Sequence, residues 1–486
     1  MNVISGINLQ EKLSVNFSNI VNSTTQYEVE TVKPIELLNS RRFDILAKYL
    51  YAKYSEKKIE CKFAEELYLD HIKAFNNFVE ADGSKKVGSK IFLSSVNSLL
   101  HSLKNEGFRK SNPIPLSRDG VILDGAHRVG LSLALEQNIT TIKLDADSPS
   151  FDYNFFRNRG MDEDFLDHLA SQYAEIKKNT RMVILWPTAV GQQKDVEKVL
   201  QKYGDIVYFK DVHLNKTGAH SLVSLAYRRE HWVGSIKDGY SGANSKANWC
   251  FSEKGPLRVF LFESNNDLIE MKDEIRNIFK VGKHSIHIND THQETLELSQ
   301  YLFNKNSVIL LNSMIHRQLN WFNRLFKDYQ SWLSSKHHNY SDFCIDGSGT
   351  LAAFGARDVR DLDFLFSGDK LPSTGFKEID CHNLEHLHKG LSPDQIIHDP
   401  RNHFFFAGAK FVGIGLLRSL KALRNEEKDK HDIKLIDSLL SGVKFKTPLK
   451  YKVKRMLSIQ YMKSKIKLVA LKIRYNLVKY KNKGRG

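Results

Sequence analysis

The sequence is poor in residues that would staple it or anchor it. Its four cysteines, Cys61, Cys250, Cys344 and Cys381, are scattered through 486 residues with neither Cys-x-x-Cys nor zinc-ligand spacing. Neither a disulfide framework nor a structural metal site is expected, and a reducing cytoplasm fits. No run reaches the roughly twenty uninterrupted apolar residues needed to cross a bilayer. Met1-Asn2-Val3-Ile4-Ser5-Gly6 has no basic region ahead of an apolar core, so no export signal is expected. Acids are missing locally: none follows Asp437, whereas 15 Lys and Arg fall between Lys444 and Arg485. With a net charge of +16, the preceding chain is close to neutral, and the basicity belongs to the tail.

What is present is a folded chain: 41% hydrophobic and 11% aromatic residues, long enough for about three domains. Residues 1–33 read as an irregular or strand-like leader. Apolar residues at Phe43, Leu46, Ala47 and Leu50 recur at helical spacing. Further helices are predicted over 64–78 and 89–104. Pro113 to Leu135 then reads as strand, Asp-Gly turn, short strand over 121–123, and a glycine turn opening a helix that carries His127 and Arg128 in its first turn. A helix N-terminus with a guanidinium fork and an imidazole suits an anion.

Ile122-Leu123-Asp124-Gly125-Ala126-His127-Arg128 resembles the Asp-Gly-x-His-Arg signature of the ParB/sulfiredoxin superfamily, which includes DNA segregation proteins, a sulfinic-acid reductase and small-molecule kinases. The resemblance implies a ParB/sulfiredoxin-like domain over 34–178. In it Gly125, His127 and Arg128 would hold nucleotide phosphates, and Asp124 would polarise a hydroxyl or help place metal. Ala126 stands where the reductase has its cysteine, and no helix-turn-helix segment follows. Both departures argue against those two activities.

From Arg181 the pattern changes to strands at 182–186, 206–209 and 257–262 alternating with helices at 195–203, 221–231 and 267–279. The alternation predicts a Rossmann-like α/β middle region over 179–335 with a largely parallel sheet, binding its ligand at the carboxyl ends of the strands. The densest polar cluster lies in its second half, Gly282 to Glu294. There Ile286 and Ile288 would face the core, with Thr291 and Glu294 in capping-box spacing. Lys283, His284, His287 and Asp290 could grip a phosphorylated substrate or act as acid and base; a plain helix-capping turn with exposed histidines is the alternative.

The chemistry-bearing stretch is Asp346-Gly347-Ser348-Gly349-Thr350-Leu351-Ala352-Ala353-Phe354-Gly355, followed by Asp361-Leu362-Asp363-Phe364-Leu365-Phe366. A small-residue turn after an apolar strand lets backbone N–H groups face an anion. On the next strand Asp361 and Asp363 share one face, a hard-oxygen pair suited to Mg²⁺. The stretch resembles the nucleotidyltransferase superfold with a DNA polymerase β type of site. The resemblance implies an α+β domain over 336–442 in which Gly347 and Ser348 contact the triphosphate and Asp361 and Asp363 hold metal. Lys421 to Ile433 is similar to the Lys-Asp-x-x-Asp ending of small nucleotidyltransferase-like proteins, with Lys428 beside the nucleotide. Arg357 or Arg360 would add charge neutralisation. An apolar helical pattern is predicted over 404–423. The polar run 381–388 is left open between metal binding and a solvated face, and the run 398–403 is left unassigned.

The fold class expected is thus multidomain α/β and α+β, ending in basic amphipathic helices over 443–486 of the kind that lie on anionic membrane surfaces. The function expected is a cytoplasmic, membrane-peripheral nucleotidyl- or phosphotransferase using Mg²⁺ and a nucleoside triphosphate, ATP or CTP. Its acceptor would be a sugar or polyol phosphate or a glycan precursor of surface polysaccharide or glycolipid. The alternatives are a small-molecule or sugar kinase working at Asp124, His127 and Arg128, and a nucleotide-dependent nucleic-acid-binding module. The tail separates them: removing residues 443–486 is expected to abolish co-sedimentation with anionic liposomes. Steeply salt-dependent RNA or DNA binding that vanishes with the tail would reverse the membrane reading.

Overall fold

A computed structural model of the protein describes residues 2–13, 15–80, 86–383 and 390–442. The tail reading over 443–486, and Glu385, His386 and His388 of the polar run, lie outside the described residues. Among the described residues the strands form three mixed or antiparallel sheets, and helices cover them. The chain is a mixed α/β protein.

In the first sheet Asn2–Ser5 runs antiparallel to Gln26–Val32, which is antiparallel to Ile139–Lys143, itself parallel to Ile114–Leu116. The opening residues thus supply two strands of this sheet, with short helices Gly6–Gln10 and Val15–Ser18 between them. Residues 121–123, expected as a short strand, make only an isolated bridge, Leu116 to Ile122. Helix Ala126–Ala134 lies against helix Asp44–Glu56 so closely that a Cβ on Gly130 would sit 2.8 Å from the Lys48 Cβ and 2.9 Å from the Ile45 carbonyl oxygen. Beneath this crossing Asp44 takes Arg42 on both oxygens, at 2.8 and 3.0 Å, and Lys48 at 2.8 Å. All three side chains are buried. Burial alone would raise the Asp44 pKa, yet the two cations hold its carboxyl far below the usual carboxylate range.

The second sheet corrects the sequence reading. Its order is Asp205–Val212, Leu257–Glu263, Thr180–Leu185, Ile286–Ile288, and every neighbouring pair is antiparallel. Helix Gln193–Tyr203 carries the chain from Thr180–Leu185 to Asp205–Val212, and helix Ile269–Phe279 from Leu257–Glu263 to Ile286–Ile288. Each crossover skips one position, and a strand of the other unit fills the gap in the opposite direction. This is the split βαβ connectivity, not a Rossmann-like sheet. Periodicity reports that strands and helices alternate; it does not report which strand lands beside which. Val183, Leu185, Phe260, Phe262, Ile286 and Ile288 meet Val196, Leu200, Met271 and Ile275 of the two helices on one face. Met182, Ile184, Val259 and Leu261 on the other join the main core.

Between Asp205–Val212 and Leu257–Glu263 the chain inserts helices Lys216–Ala226 and Ser241–Cys250 with a 3₁₀ turn, His231–Val233. The helix expected over 221–231 therefore starts earlier and ends at Ala226.

The third sheet has the order Ile379–Cys381, Leu362–Phe366, Phe343–Ile345, Ala409–Val412, His403–Phe406. Its pairings alternate parallel, antiparallel, parallel, antiparallel. The apolar run expected as one helix over 404–423 is a hairpin followed by helix Ile414–Arg424. Ala407 and Gly408, at φ 48° and 79°, form the tight turn that reverses the strand, and three consecutive phenylalanines favour the pleated surface. Helix Asn320–Ser335 lays Trp332 against Phe343 and Phe364, at 5.7 and 5.5 Å between ring centroids.

The run 398–403 is a joint to the N-terminal helices. Tyr54 donates to the His398 carbonyl at 2.8 Å, and Arg401 bridges Asp399 and Glu66 at 2.7 and 2.8 Å while lying 5.2 Å over the Phe63 ring. The largest buried cluster passes without interruption from Leu37 to Leu439 through all three sheet regions. The N-terminal helices depend on Asp44. Asp44→Ala would leave Arg42 and Lys48 buried without a counter-charge and is expected to cost about 3–5 kcal/mol in urea denaturation. A loss under about 1 kcal/mol would show the cations relaxing to solvent.

Candidate functional site

The site begins with a strand pairing. Phe343–Ile345 and Leu362–Phe366 run antiparallel with Ile345 opposite Phe364, so Asp346, the next residue, arrives beside Asp363. The Asp346 N–H donates to the Asp363 carbonyl at 2.8 Å. Its side chain turns forward, and Oδ1 accepts the Gly347 N–H at 2.6 Å. Gly347 has φ 59° and ψ −126°, a conformation L side chains rarely adopt, and a Cβ there would sit 3.1 Å from Asp363 Oδ2. Glycine thus brings bare backbone against a carboxylate. Helix Ser348–Ala353 follows, and the Ser348 hydroxyl reaches the Asp361 carbonyl at 3.4 Å.

Leu362 and Phe364 are fully buried, Asp363 is half-buried between them, and Asp361 is exposed just ahead of the strand. The alternation expected from the sequence is present. Two further polar residues come from the neighbouring strand. Asp380 is the parallel-register partner of Asp363, and His382, two residues on, places Nε2 3.3 Å from Asp363 Oδ1.

Burial pushes the Asp363 carboxyl up to about 6, and the negative charges of Asp361, Asp346 and Asp380 add to that push while His382 partly offsets it. Among the described residues no group of three or more His, Cys, Asp or Glu forms a ready-made metal cage. The donor set nevertheless suits Mg²⁺, which takes one or two carboxylates and fills its remaining positions with water and phosphate oxygens. Asp361 and Asp363 would hold it, and a cation there would relieve the repulsion that raises Asp363.

The other residues singled out from the sequence fall in different places. Arg357 is bidentate to Asp432, 2.9 Å on each arm, and Asp432 also takes Lys421 at 2.8 Å. Lys421 and Arg424 in turn hold buried Asp429 at 3.2 and 2.6 Å. The Lys-Asp-x-x-Asp ending is therefore a charge clasp that fixes helix Glu427–Ser441 to Arg357. Lys428 points outward to Glu426 at 3.0 Å, and Arg360 is exposed near the acids.

At the N-terminal motif the Asp-Gly turn is built as at 346–347: Asp124 Oδ1 accepts the Gly125 N–H at 2.6 Å, and Gly125 has φ 86°. Arg128 folds back on Gly125 and donates to the Asn112 carbonyl at 2.7 Å. His127 Nε2 lies 3.0 Å from the Tyr68 hydroxyl, and burial pushes its imidazole down to about 3. Both side chains thus already have protein partners.

Lys283, His284, His287 and Asp290 line one cavity of about 600 Å³ in the middle region. Thr291 and Glu294 form the expected capping box. Asp290 is exposed and paired with Lys272 at 3.3 Å.

Sequence reasoning missed Asp346, Asp380 and His382 as members of the acidic site. Asp380 and His382 carry the same alternate spacing that exposed Asp361 and Asp363, but a strand of three residues is too short to stand out. No family model, curated protein or solved structure matches the chain.

Because Asp363 titrates near 6 when folded and in the usual carboxylate range when unfolded, the folded state binds the extra proton. Its contribution to stability is present at low pH and is lost as pH rises from about 4 through 6. Asp363→Asn is expected to flatten that loss and to stabilise the metal-free protein at pH 7.5 by about 1–3 kcal/mol. A pH series of thermal melts in EDTA tests it, and a variant less stable at pH 7.5 would overturn the electrostatic reading.

Proposed function

We propose that the chain is a Mg²⁺-dependent transferase of phosphorus-containing groups, a nucleotidyl- or phosphotransferase, working at the Gly347-Ser348 turn and the Asp361/Asp363 pair. The observation that carries this reading is the approach of the Gly347 backbone to a carboxylate whose pKa is raised by burial and by three like charges. Such a placement is costly for stability and suits a site that a cation and a phosphate complete.

When bound, Mg²⁺ would neutralise charge on the nucleoside triphosphate during in-line displacement at phosphorus. The chain's own residues do the rest. Ser348 would offer its backbone N–H and hydroxyl to phosphate oxygens, and Gly347, with no side chain, would let them approach the turn. Asp346 holds the turn in shape through its bond to the Gly347 N–H. Arg360, exposed beside the acids, would add positive charge toward the triphosphate. Arg357 fastens helix Glu427–Ser441 through Asp432 and so acts on the site by position. The acceptor fitted to this reading is a sugar or polyol phosphate or a glycan precursor, made at the inner membrane face; that part rests on the basic tail and the combination of motifs.

A kinase reading at Asp124, Gly125, His127 and Arg128 comes second, favoured by the matching Asp-Gly turn and weakened by the Tyr68 and Asn112 contacts. Phosphorus NMR of the protein with Mg²⁺, each nucleoside triphosphate and a panel of sugar and polyol phosphates separates the two. Pyrophosphate release is expected, reduced at least about 100-fold in Asp361→Ala/Asp363→Ala and unchanged in His127→Ala. Nucleoside diphosphate that disappears with His127→Ala would move the chemistry to the N-terminal motif.

A further inference from the structure

The cavity in the middle region is distinct from the acidic site and opposite to it in charge. Its walls are the edge strand Ile286–Ile288, helix Ile269–Phe279, the start of helix His292–Leu302, and the segment inserted between Asp205–Val212 and Leu257–Glu263. Six Lys and Arg and four Asp and Glu line it. Three of the cations are spent on lining acids: Arg228 on Glu297, Arg229 on Glu294 at 3.4 Å, and Lys272 on Asp290 at 3.3 Å. Lys246 and Lys283 pair with none of the lining acids, and Arg276 takes its partner, Asp273, from outside the lining.

Lys246 and Arg276 are held in place by their contacts. Lys246 Nζ donates to the Lys283 carbonyl at 2.6 Å, lies 3.3 Å from His284 Nδ1 and stands 5.5 Å over the Tyr227 ring. Arg276 pairs through one arm with Asp273 on its own helix at 2.8 Å, while its Nε is buried with no hydrogen-bond partner. A buried guanidinium N–H without an acceptor is costly, and an anionic oxygen removes the cost.

Rings surround these cations. Tyr227 packs at 4.9 Å from His287 and 5.3 Å from Trp232, and Trp249 stacks on His284 at 5.6 Å. Trp232, on the lining, is 45% exposed, and Trp249, stacked on the lining His284, is 64% exposed. Exposed indoles beside Lys246, Lys283 and the unsatisfied Arg276 Nε suit a ligand with both a flat or apolar ring face and negative charge.

We propose that this cavity binds a phosphate ester carrying a ring, with the phosphate on Lys246, Arg276 and Lys283 and the ring against Tyr227 and Trp232. A nucleotide and a sugar phosphate both have that chemistry. The inference does not rest on the transferase reading, because it concerns binding without metal.

The test is isothermal titration of the full chain in EDTA with ADP, glucose 1-phosphate and inorganic phosphate. At least one ring-bearing ester is expected to bind roughly tenfold or more tighter than inorganic phosphate, and which one does identifies the source. Lys246→Gln and Lys283→Gln are each expected to weaken it about tenfold, and Trp232→Ala to weaken the ester but not inorganic phosphate. Asp361→Asn/Asp363→Asn should bind as the parent does. Lys283 is exposed, so its substitution keeps the test valid if the Lys246 variant misfolds. The proposal fails if neither ester binds at about 1 mM, if inorganic phosphate binds as tightly, or if the aspartate pair rather than the cavity cations governs affinity.

Discussion

The pairing of Phe343–Ile345 with Leu362–Phe366 is the constraint on which the C-terminal region depends. Two antiparallel strands, anchored by buried Phe343, Ile345, Leu362 and Phe364, bring the end of one level with the start of the other, so a turn and an acid far apart in sequence become backbone neighbours. Asp346 and Asp363 meet in the register that packs Trp332, Phe343 and Phe364 together. The acids are then held in a partly desolvated space among like charges. The apolar packing carries the electrostatic cost.

Much of this was legible in the sequence because it is local. The Gly-Ser turn, the alternation of Asp361 and Asp363 and the Thr291/Glu294 capping box are each set within a few residues, and each is found in place. The split βαβ sheet was not legible, since hydrophobic periodicity is the same whether a crossover lands beside its origin or one strand away. The hairpin at 403–412 was hidden for a related reason: an unbroken apolar run fits a helix or two buried strands, and only the Ala407-Gly408 turn decides. Asp380 needed the parallel register with Asp363, a long-range fact.

Charged residues divide by burial rather than by motif. Arg357 looked like a phosphate ligand from its place beside the acids, but Asp432, brought by helix Glu427–Ser441, claims both arms of its guanidinium. Lys246 and Arg276 carried no motif at all, yet the fold gathers them with Lys283 around the middle cavity. Sequence spacing finds residues that share a strand or a helix turn. Shared walls of one cavity find the others.

The uninterrupted cluster from Leu37 to Leu439 has a consequence for how such a chain can change over time. Motifs that look like separable cassettes here share side chains across every boundary, with Tyr54, Glu66 and Arg401 fastening the first region to the last. A segment exchanged for one from another protein would arrive without the matching surface and leave apolar area open to water. New specificity is therefore easiest to acquire through insertions such as residues 213–256, which hang between two strands and line a cavity without interrupting the sheet.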